Sequence, residues 1–302
     1  MSYAFDFALK THPGQVRPLN EDAVAADPDA GLFILADGLG GYNAGEIAST
    51  MAVSTLVTNL TAVLDHCRES GDVFDLPNVL SNALIEMNND IFRAALNSAA
   101  FEGMATTVVV AWLLGAQLWV AHAGDSRLYR HRGGKLEQIT RDHSFSQELL
   151  DAGMVTEEEA RLLPAKNLVT RALGAAADVE PEVHDYDVQD GDLLLLCSDG
   201  LTEMVTEYEI GGLIAACLPD VADTARRLVD MANEAGGRDN VSVIVVRVMA
   251  VDEQHAAPVI AESVIDANEQ NGITEATGKV PDAITEPEVN TVLEVAEPPA
   301  DE

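Results

Sequence analysis

Three aspartates stand at the ends of three apolar runs. Leu32-Phe33-Ile34-Leu35-Ala36 runs into Asp37-Gly38, Leu193-Leu194-Leu195-Leu196-Cys197-Ser198 runs into Asp199-Gly200, and Asp239-Asn240 precedes Val241-Ser242-Val243-Ile244-Val245-Val246. A short continuous apolar run bounded by a Gly turn reads as a strand buried on both faces. A carboxylate where such a strand emerges is held at a rigid rim, and three of them suggest a site for hard cations, which take oxygen ligands. Any one Asp-Gly pair alone reads as a turn. The repetition argues for more.

Two further segments carry charge at suggestive spacing. In Val16-Arg17-Pro18-Leu19-Asn20-Glu21-Asp22 the adjacent carboxylates would point to opposite faces of a strand and do different jobs. Arg17 reads either as a surface ion pair or as a guanidinium fork suited to a tetrahedral oxyanion such as phosphate. Ala123-Gly124-Asp125-Ser126-Arg127 reads as an acidic hairpin between two β-runs.

The elements that must position these groups arrive in blocks. Residues 3–9 and 32–36 read as strands. Asn43-Ala44-Gly45-Glu46 has capping-box spacing and opens a helix through Ile47, Met51, Leu56, Leu60 and Val63. A second helix after Pro77 runs through Leu80, Leu84, Met87, Ile91 and Ala95. Four strands follow at about 106–114, 117–122, 127–131 and 135–139, with connections so short that they must be antiparallel hairpins. Residues 144–163 read as helical with a stop at Pro164, and the last strands flank a helical stretch near 207–234. The expected fold is α+β: an antiparallel β-sandwich flanked by helices on both outer faces, an α-β-β-α four-layer arrangement. Residues 1–250 form the folded domain in this reading, and 251–302, rich in Glu, Ala, Pro and Val and without an aromatic residue, an acidic disordered tail.

Composition excludes several partners. The net charge of the 302 residues is −34, of which residues 251–302 contribute −12 and residues 1–250 contribute −22. Nucleic acid and anionic membranes require basic patches, so neither is expected as a partner. No apolar stretch approaches the roughly 18 residues needed to cross a bilayer. No basic region followed by an apolar core opens the chain, and Cys67, Cys197 and Cys217 form neither a disulfide framework nor a zinc pattern. A cytoplasmic location is expected, and nothing in the pattern demands an oligomer.

Taken in order, the motifs resemble the metal-dependent protein serine/threonine phosphatase family (type 2C) in its short bacterial form. The matching segments are Val16 to Asp22, Ala36-Asp37-Gly38-Leu39-Gly40-Gly41, Thr106-Thr107, Ala123 to Arg127, Asp142-His143-Ser144, Val169-Thr170-Arg171-Ala172-Leu173-Gly174, Leu196 to Leu201 and Gly237 to Ser242. The resemblance implies hydrolysis of phosphoserine and phosphothreonine in proteins by a water activated between two Mn²⁺ or Mg²⁺ ions, without a covalent intermediate. It implies Asp37 as the bridge between the ions, Glu21 and the Gly38 carbonyl on one, and Asp199 and Asp239 on the other. Asp22 would bind a metal-coordinated water, Asp125 with Asp199 a third ion, and Arg17 the substrate phosphate. Leu39 stands where many eukaryotic members carry a histidine, so the leaving group's proton is expected from a metal-bound water, with His143 a second candidate. Residues 144 to about 167 match the family's variable flap beside the active site. The implied partners are phosphoproteins made by a serine/threonine kinase. Two rival readings remain, a noncatalytic phosphoprotein-binding module and a two-metal hydrolase of small phosphate esters. The first predicts erosion of a ligand set that is intact here, and the second a phosphate-cradling loop that Gly38-Leu39-Gly40-Gly41 is too generic to be.

Overall fold

The computed structural model describes residues 2–40, 44–71, 74–163 and 168–251. All of them belong to one compact unit, Met1–Asp266. The tail expected at 251–302 lies outside them apart from Val251, which closes the last strand, and so does Asn43 of the expected capping box.

Two antiparallel sheets face each other. One contains β1 (Ser2–His12), β7 (Arg127–Arg132), β8 (Lys135–Gln138), β10 (Leu193–Cys197) and β11 (Val241–Val251), in the order β1-β11-β10-β7-β8. The other contains β2 (Asp22–Asp27), β3 (Leu32–Leu39), β5 (Val108–Leu114), β6 (Gln117–Ala123) and β9 (Glu182–Asp187), in the order β2-β3-β5-β6-β9, and the short β4 (Ala105–Thr106) pairs with β3. The helices α1 (Ala44–Ser70) and α2 (Leu76–Asn97) cover the second sheet. The first is covered by α5 (Asp199–Thr202), α6 (Glu207–Cys217) and α7 (Val221–Glu234).

The period of two along each strand explains the four layers. In β3, Phe33 and Leu35 join Val109, Leu194, Leu196, Ile244 and Val246 between the sheets. Leu32, Ile34 and Ala36 face Leu56, Leu60, Leu84 and Ile91 of α1 and α2. Leu193 and Leu195 of β10 likewise pack under Ile210, Ile214 and Leu228. Both faces are dry, which is why these strands read as unbroken apolar runs. Each buried Leu or Ile contributes about 1.5–3 kcal/mol, but β10 would bury as much after a one-residue slip. Its register is held by polar contacts at its end, where Ser198 N–H donates to Ser242 O (3.1 Å) and Ser242 N–H donates to Ser198 Oγ (3.0 Å).

The expected fold class is the one observed, with several local corrections. The β6–β7 connection is not a hairpin: the strands lie in different sheets, so Gly124-Asp125-Ser126 crosses the end of the sandwich. Sequence spacing could not distinguish a crossing from a turn. The run 106–114 divides at Thr107 into β4 and β5. Residues 144–163 form two short helices, α3 (Phe145–Asp151) and α4 (Glu157–Leu162), broken at Gly153, whose φ is +65°. Thr156 and Glu159 close a capping box at the start of α4. The stretch 207–234 breaks between α6 and α7, where Asp220 caps the second helix. The edge strand β9 was not anticipated because it is polar and half of its residues are exposed. Finally, α1 is long and apolar enough to cross a membrane by length and composition, contrary to expectation. Here its apolar residues Ala48, Ala52, Leu56 and Leu60 pack on the sheet.

Candidate metal centre

Asp37 and Asp22 face each other across the β2–β3 ladder, in register. Both lie on the between-sheet face, since Phe33 and Leu35 share the parity of Asp37, and Val24 and Ala26 that of Asp22. Directly opposed like charges destabilise a ladder, so this pair needs a compensating cation or proton. Burial, and then Asp22, raise the Asp37 carboxyl well above the usual carboxylate range; burial likewise pushes Asp22 up to about 6. The strand does not turn at Asp37-Gly38 but continues, pairing Gly38 with Thr106. Thr106 and Thr107 fix the Asp37 backbone: Asp37 N–H donates to Thr107 Oγ1 (3.0 Å), and Asp37 O accepts from Thr107 N–H and Thr106 Oγ1 (both 2.8 Å).

Glu21 takes the opposite direction, against the first turn of α1. A Cβ at Gly45 would stand 2.6 Å from Glu21 Oε1, and one at Gly38 would stand 2.2 Å from Gly45 O and 2.5 Å from Glu21 O. The glycine of this Asp-Gly pair therefore serves close backbone approach rather than a turn. Burial raises the Glu21 carboxyl against the lowering effect of the Gly45 backbone amide, and its buried Oε1 makes no regular hydrogen bond to another described residue.

Asp199 opens α5. Gly200 is again a contact glycine, since its Cβ would stand 1.9 Å from Asn240 O. Ser198 occupies the helix N-cap position but makes no cap bond; its hydroxyl donates to Asp22 Oδ2 at 2.9 Å, and Asp22 Oδ1 is left buried without a hydrogen-bond partner among the described residues. Burial, then Asp125 and Glu203, raise Asp199 well above the usual range, and burial pushes Asp125 up to about 7. Asp239 accepts from Arg17 Nη2 at 2.7 Å; the Arg17 side chain is 50% exposed.

Asn240 ties these loops together. Its Oδ1 accepts from Glu21 N–H (2.8 Å), and its Nδ2 donates to Leu19 O (2.8 Å) and Pro13 O (3.0 Å). Gln15 N–H donates to Gly237 O (2.7 Å), and Gly14, with φ +81°, lies so close that a Cβ would stand 2.2 Å from Asp239 O. The Arg17 loop is thus clamped to the Asp239 loop. Sequence reasoning assigned no role to Asn240, Thr106, Thr107 or Ser198. Their signal was that each falls inside a segment matching the family's motifs, without a role attached to it.

Glu21, Asp22, Asp37, Asp125, Asp199 and Asp239 therefore share one end of the sandwich, and their charges act on one another. Two buried carboxylate oxygens without partners, raised carboxyls and an all-oxygen donor set fit hard divalent cations. Ions that keep several waters need few protein ligands each.

A second polar cluster lies nearby. His122, His143 and Glu182 are the one group of three among the described residues whose ligand atoms lie within 4.8 Å of one another. The two rings stack in parallel, 4.7 Å apart with 5° between planes, so their in-plane lone pairs cannot converge on one ion. His143 is also fully used. Its Nδ1 accepts from Gly124 N–H (3.1 Å), its Nε2 lies 3.1 Å from both Glu182 Oε1 and Arg171 Nη1, and its own N–H donates to Gly124 O (2.9 Å). It is 6% exposed, and burial lowers its pKa. The ring clamps the turn before Asp125, at the edge of the carboxylate centre.

Comparison with known proteins gives a consistent picture. The sequence profile of the family described as protein phosphatase 2C matches residues 15–242. The serine/threonine protein phosphatase PstP of Mycobacterium tuberculosis (strain ATCC 25618 / H37Rv) is 38% identical over 265 residues, 87% of this chain and 49% of that protein. The chain thus spans about half of that relative's length. Protein phosphatase PhpP of Streptococcus pneumoniae (strain ATCC BAA-255 / R6) is 38% identical over 253 residues, 82% of this chain and 100% of PhpP. The crystal structure of M. tuberculosis PstP/Ppp is similar with a TM-score of 0.73 at 37% identity, covering 82% of this chain and 99% of that one. The PstP catalytic domain in complex with two manganese ions has a TM-score of 0.70 at 37% identity, covering 82% and 100%.

Proposed function

The chain belongs to the protein phosphatase 2C family, and on that premise we propose that it hydrolyses phosphoserine and phosphothreonine in proteins, using a water activated by two Mn²⁺ or Mg²⁺ ions and no covalent intermediate. The observation that carries the reading is the set of buried, mutually repelling carboxylates with two unpartnered oxygens, Glu21 Oε1 and Asp22 Oδ1, beside the exposed guanidinium of Arg17. In this reading Asp37 is shared between the two ions. Glu21 and the Gly38 carbonyl hold one, Asp199 and Asp239 the other, and Asp125 with Asp199 a weaker third. Two such cations, when bound, supply Lewis acidity that lowers the pKa of the attacking water and offsets charge on the phosphoryl oxygens.

The chain's own residues do the rest. Asp22, held at Oδ2 by Ser198, keeps Oδ1 directed to orient water. Arg17, anchored by the Asn240 clamp, offers its fork to the phosphate oxygens from the open side. Asp37 is kept in place by Thr106 and Thr107. With His143 committed to Gly124 and Glu182, the leaving alkoxide takes its proton from water. The same reading makes the protein a cytoplasmic monomer acting on the products of a serine/threonine kinase. The test is phosphate release from a phosphothreonine peptide with Mn²⁺, with Mg²⁺ and with excess chelator, for wild type and Asp199→Ala. Metal-dependent release lost in the variant supports the reading, and no release by folded wild type under any metal refutes it.

A further inference from the structure

A cleft of about 950 Å³ opens from Asp125 and Asp199 and runs between the flap helices α3 and α4 on one side and α5 and the start of α6 on the other. Asp125, 7% exposed, reaches its floor with no side-chain hydrogen bond from another described residue, so the cleft is continuous with the carboxylate centre. Its charge is one-sided. Among the described residues Arg127 is the single cationic side chain on its lining, and it is consumed: Nε and Nη2 donate to Asp142 (2.8 and 2.6 Å), and Nη1 donates to Tyr129 OH (2.7 Å) and lies 3.7 Å from Glu207 Oε1. Glu203, half-buried at the end of α5, makes no ion pair or hydrogen bond through its side chain among the described residues, and neither does Glu157 on α4. Glu207 is partly engaged, its Oε1 accepting from Tyr129 OH (3.2 Å), but its side chain is 58% exposed, and Tyr208, 91% exposed, offers an aromatic face beside it.

A phosphorylated residue held by Arg17 and the carboxylate centre must send its flanking polypeptide somewhere. This cleft, about 950 Å³ in volume, begins at the centre and has a surplus of negative charge that would repel an acidic flank. We infer that the cleft is the subsite for the polypeptide flanking the phosphorylated residue on one side, and that it selects Lys or Arg there. The nearest basic side chain would meet Glu203, and a more distant one Glu157, Glu207 and the face of Tyr208. This rests on the phosphatase reading above and adds a substrate class to it: phosphoproteins with basic residues beside the phosphorylated position.

The experiment compares phosphothreonine peptides that carry Lys/Arg, Ala or Glu on the N-terminal or the C-terminal flank, with 4-nitrophenyl phosphate as a substrate that has no flank. The enzymes are wild type and the double variant Glu157→Gln/Glu203→Gln. For wild type, kcat/KM is expected to favour basic over acidic residues on one flank only, by about three- to tenfold and more at low salt. The double variant should lose that preference and keep the order of metals it accepts. Equal kcat/KM for basic and acidic flanks, with 4-nitrophenyl phosphate turned over normally, overturns this inference and leaves the phosphatase reading standing. A preference that persists unchanged in the double variant also overturns it, since the selection would then lie elsewhere. No hydrolysis of any substrate refutes both.

Discussion

The carboxylate centre and the imidazole cluster adjoin at one end of the sandwich, yet they are built on opposite principles. Around His143, the Gly124 amide and the Glu182 carboxylate complete each other, and both ring nitrogens are engaged. Around Asp37 the groups repel, the carboxyls are raised, and Glu21 Oε1 and Asp22 Oδ1 are orphaned. The first region is satisfied by the chain alone and stabilises it. The second is satisfied only by something added, and the fold bears its cost for that reason.

That contrast can be tested most severely at Asp37. Asp37→Asn removes the carboxylate shared by both proposed ions, and turnover should fall by about 10³-fold or more. In chelator, by contrast, the variant should melt no lower than wild type, because a like charge opposite Asp22 has gone. A clear loss of stability in chelator would break the comparison. His143→Ala should behave the other way, losing about 2–4 kcal/mol of stability with and without metal, as a buried ring and both of its hydrogen bonds disappear. Chemical denaturation in both conditions reads this.

The two regions also respond oppositely to pH. Asp22 and Asp125, raised to about 6 and about 7, bind protons more tightly folded than unfolded, so their contribution is lost as pH rises from about 4 through those values. Burial lowers His122 to about 4, so its contribution is lost as pH falls from about 6.5 toward 4. Glu21, Asp37 and Asp199 are raised as well, so five raised carboxyls outnumber the three lowered histidines, His122, His131 and His143. Metal-free protein should therefore melt lower at pH 7.5 than at pH 5.5, and Mn²⁺ should abolish or reverse the difference. A Tm that rises over that range in chelator would show that the carboxylate end is not under strain. The smallest effect is expected from Glu182→Gln, which keeps an acceptor for His143 Nε2–H at a half-exposed position and should cost no more than about 1 kcal/mol.

The sequence by itself determined a good deal. Runs such as 32–36 and 193–197 could only be strands buried on both faces, and the α-β-β-α layering follows from them together with the paired helices of α1 and α2. Asp37, Asp199 and Asp239 were legible as candidate ligands for the same reason, each being charged at the edge of an apolar run, whereas Glu21 entered only through the family resemblance. Tertiary structure alone decided what each charge would meet. Period and propensity are local, so they could not tell that Gly124-Asp125-Ser126 crosses between sheets, that Asp22 stands opposite Asp37, or that the two Asp-Gly glycines make room for Gly45 and Asn240. They could not tell that His143 packs against Gly124, Glu182 and Arg171. A side chain's type is written in the chain, but its partners lie at sequence separations of 28 for Glu21 and Ser49 and 176 for Asp22 and Ser198. Only the folded backbone brings such residues into contact, and those contacts decide which polar groups are satisfied and which are left waiting for a ligand.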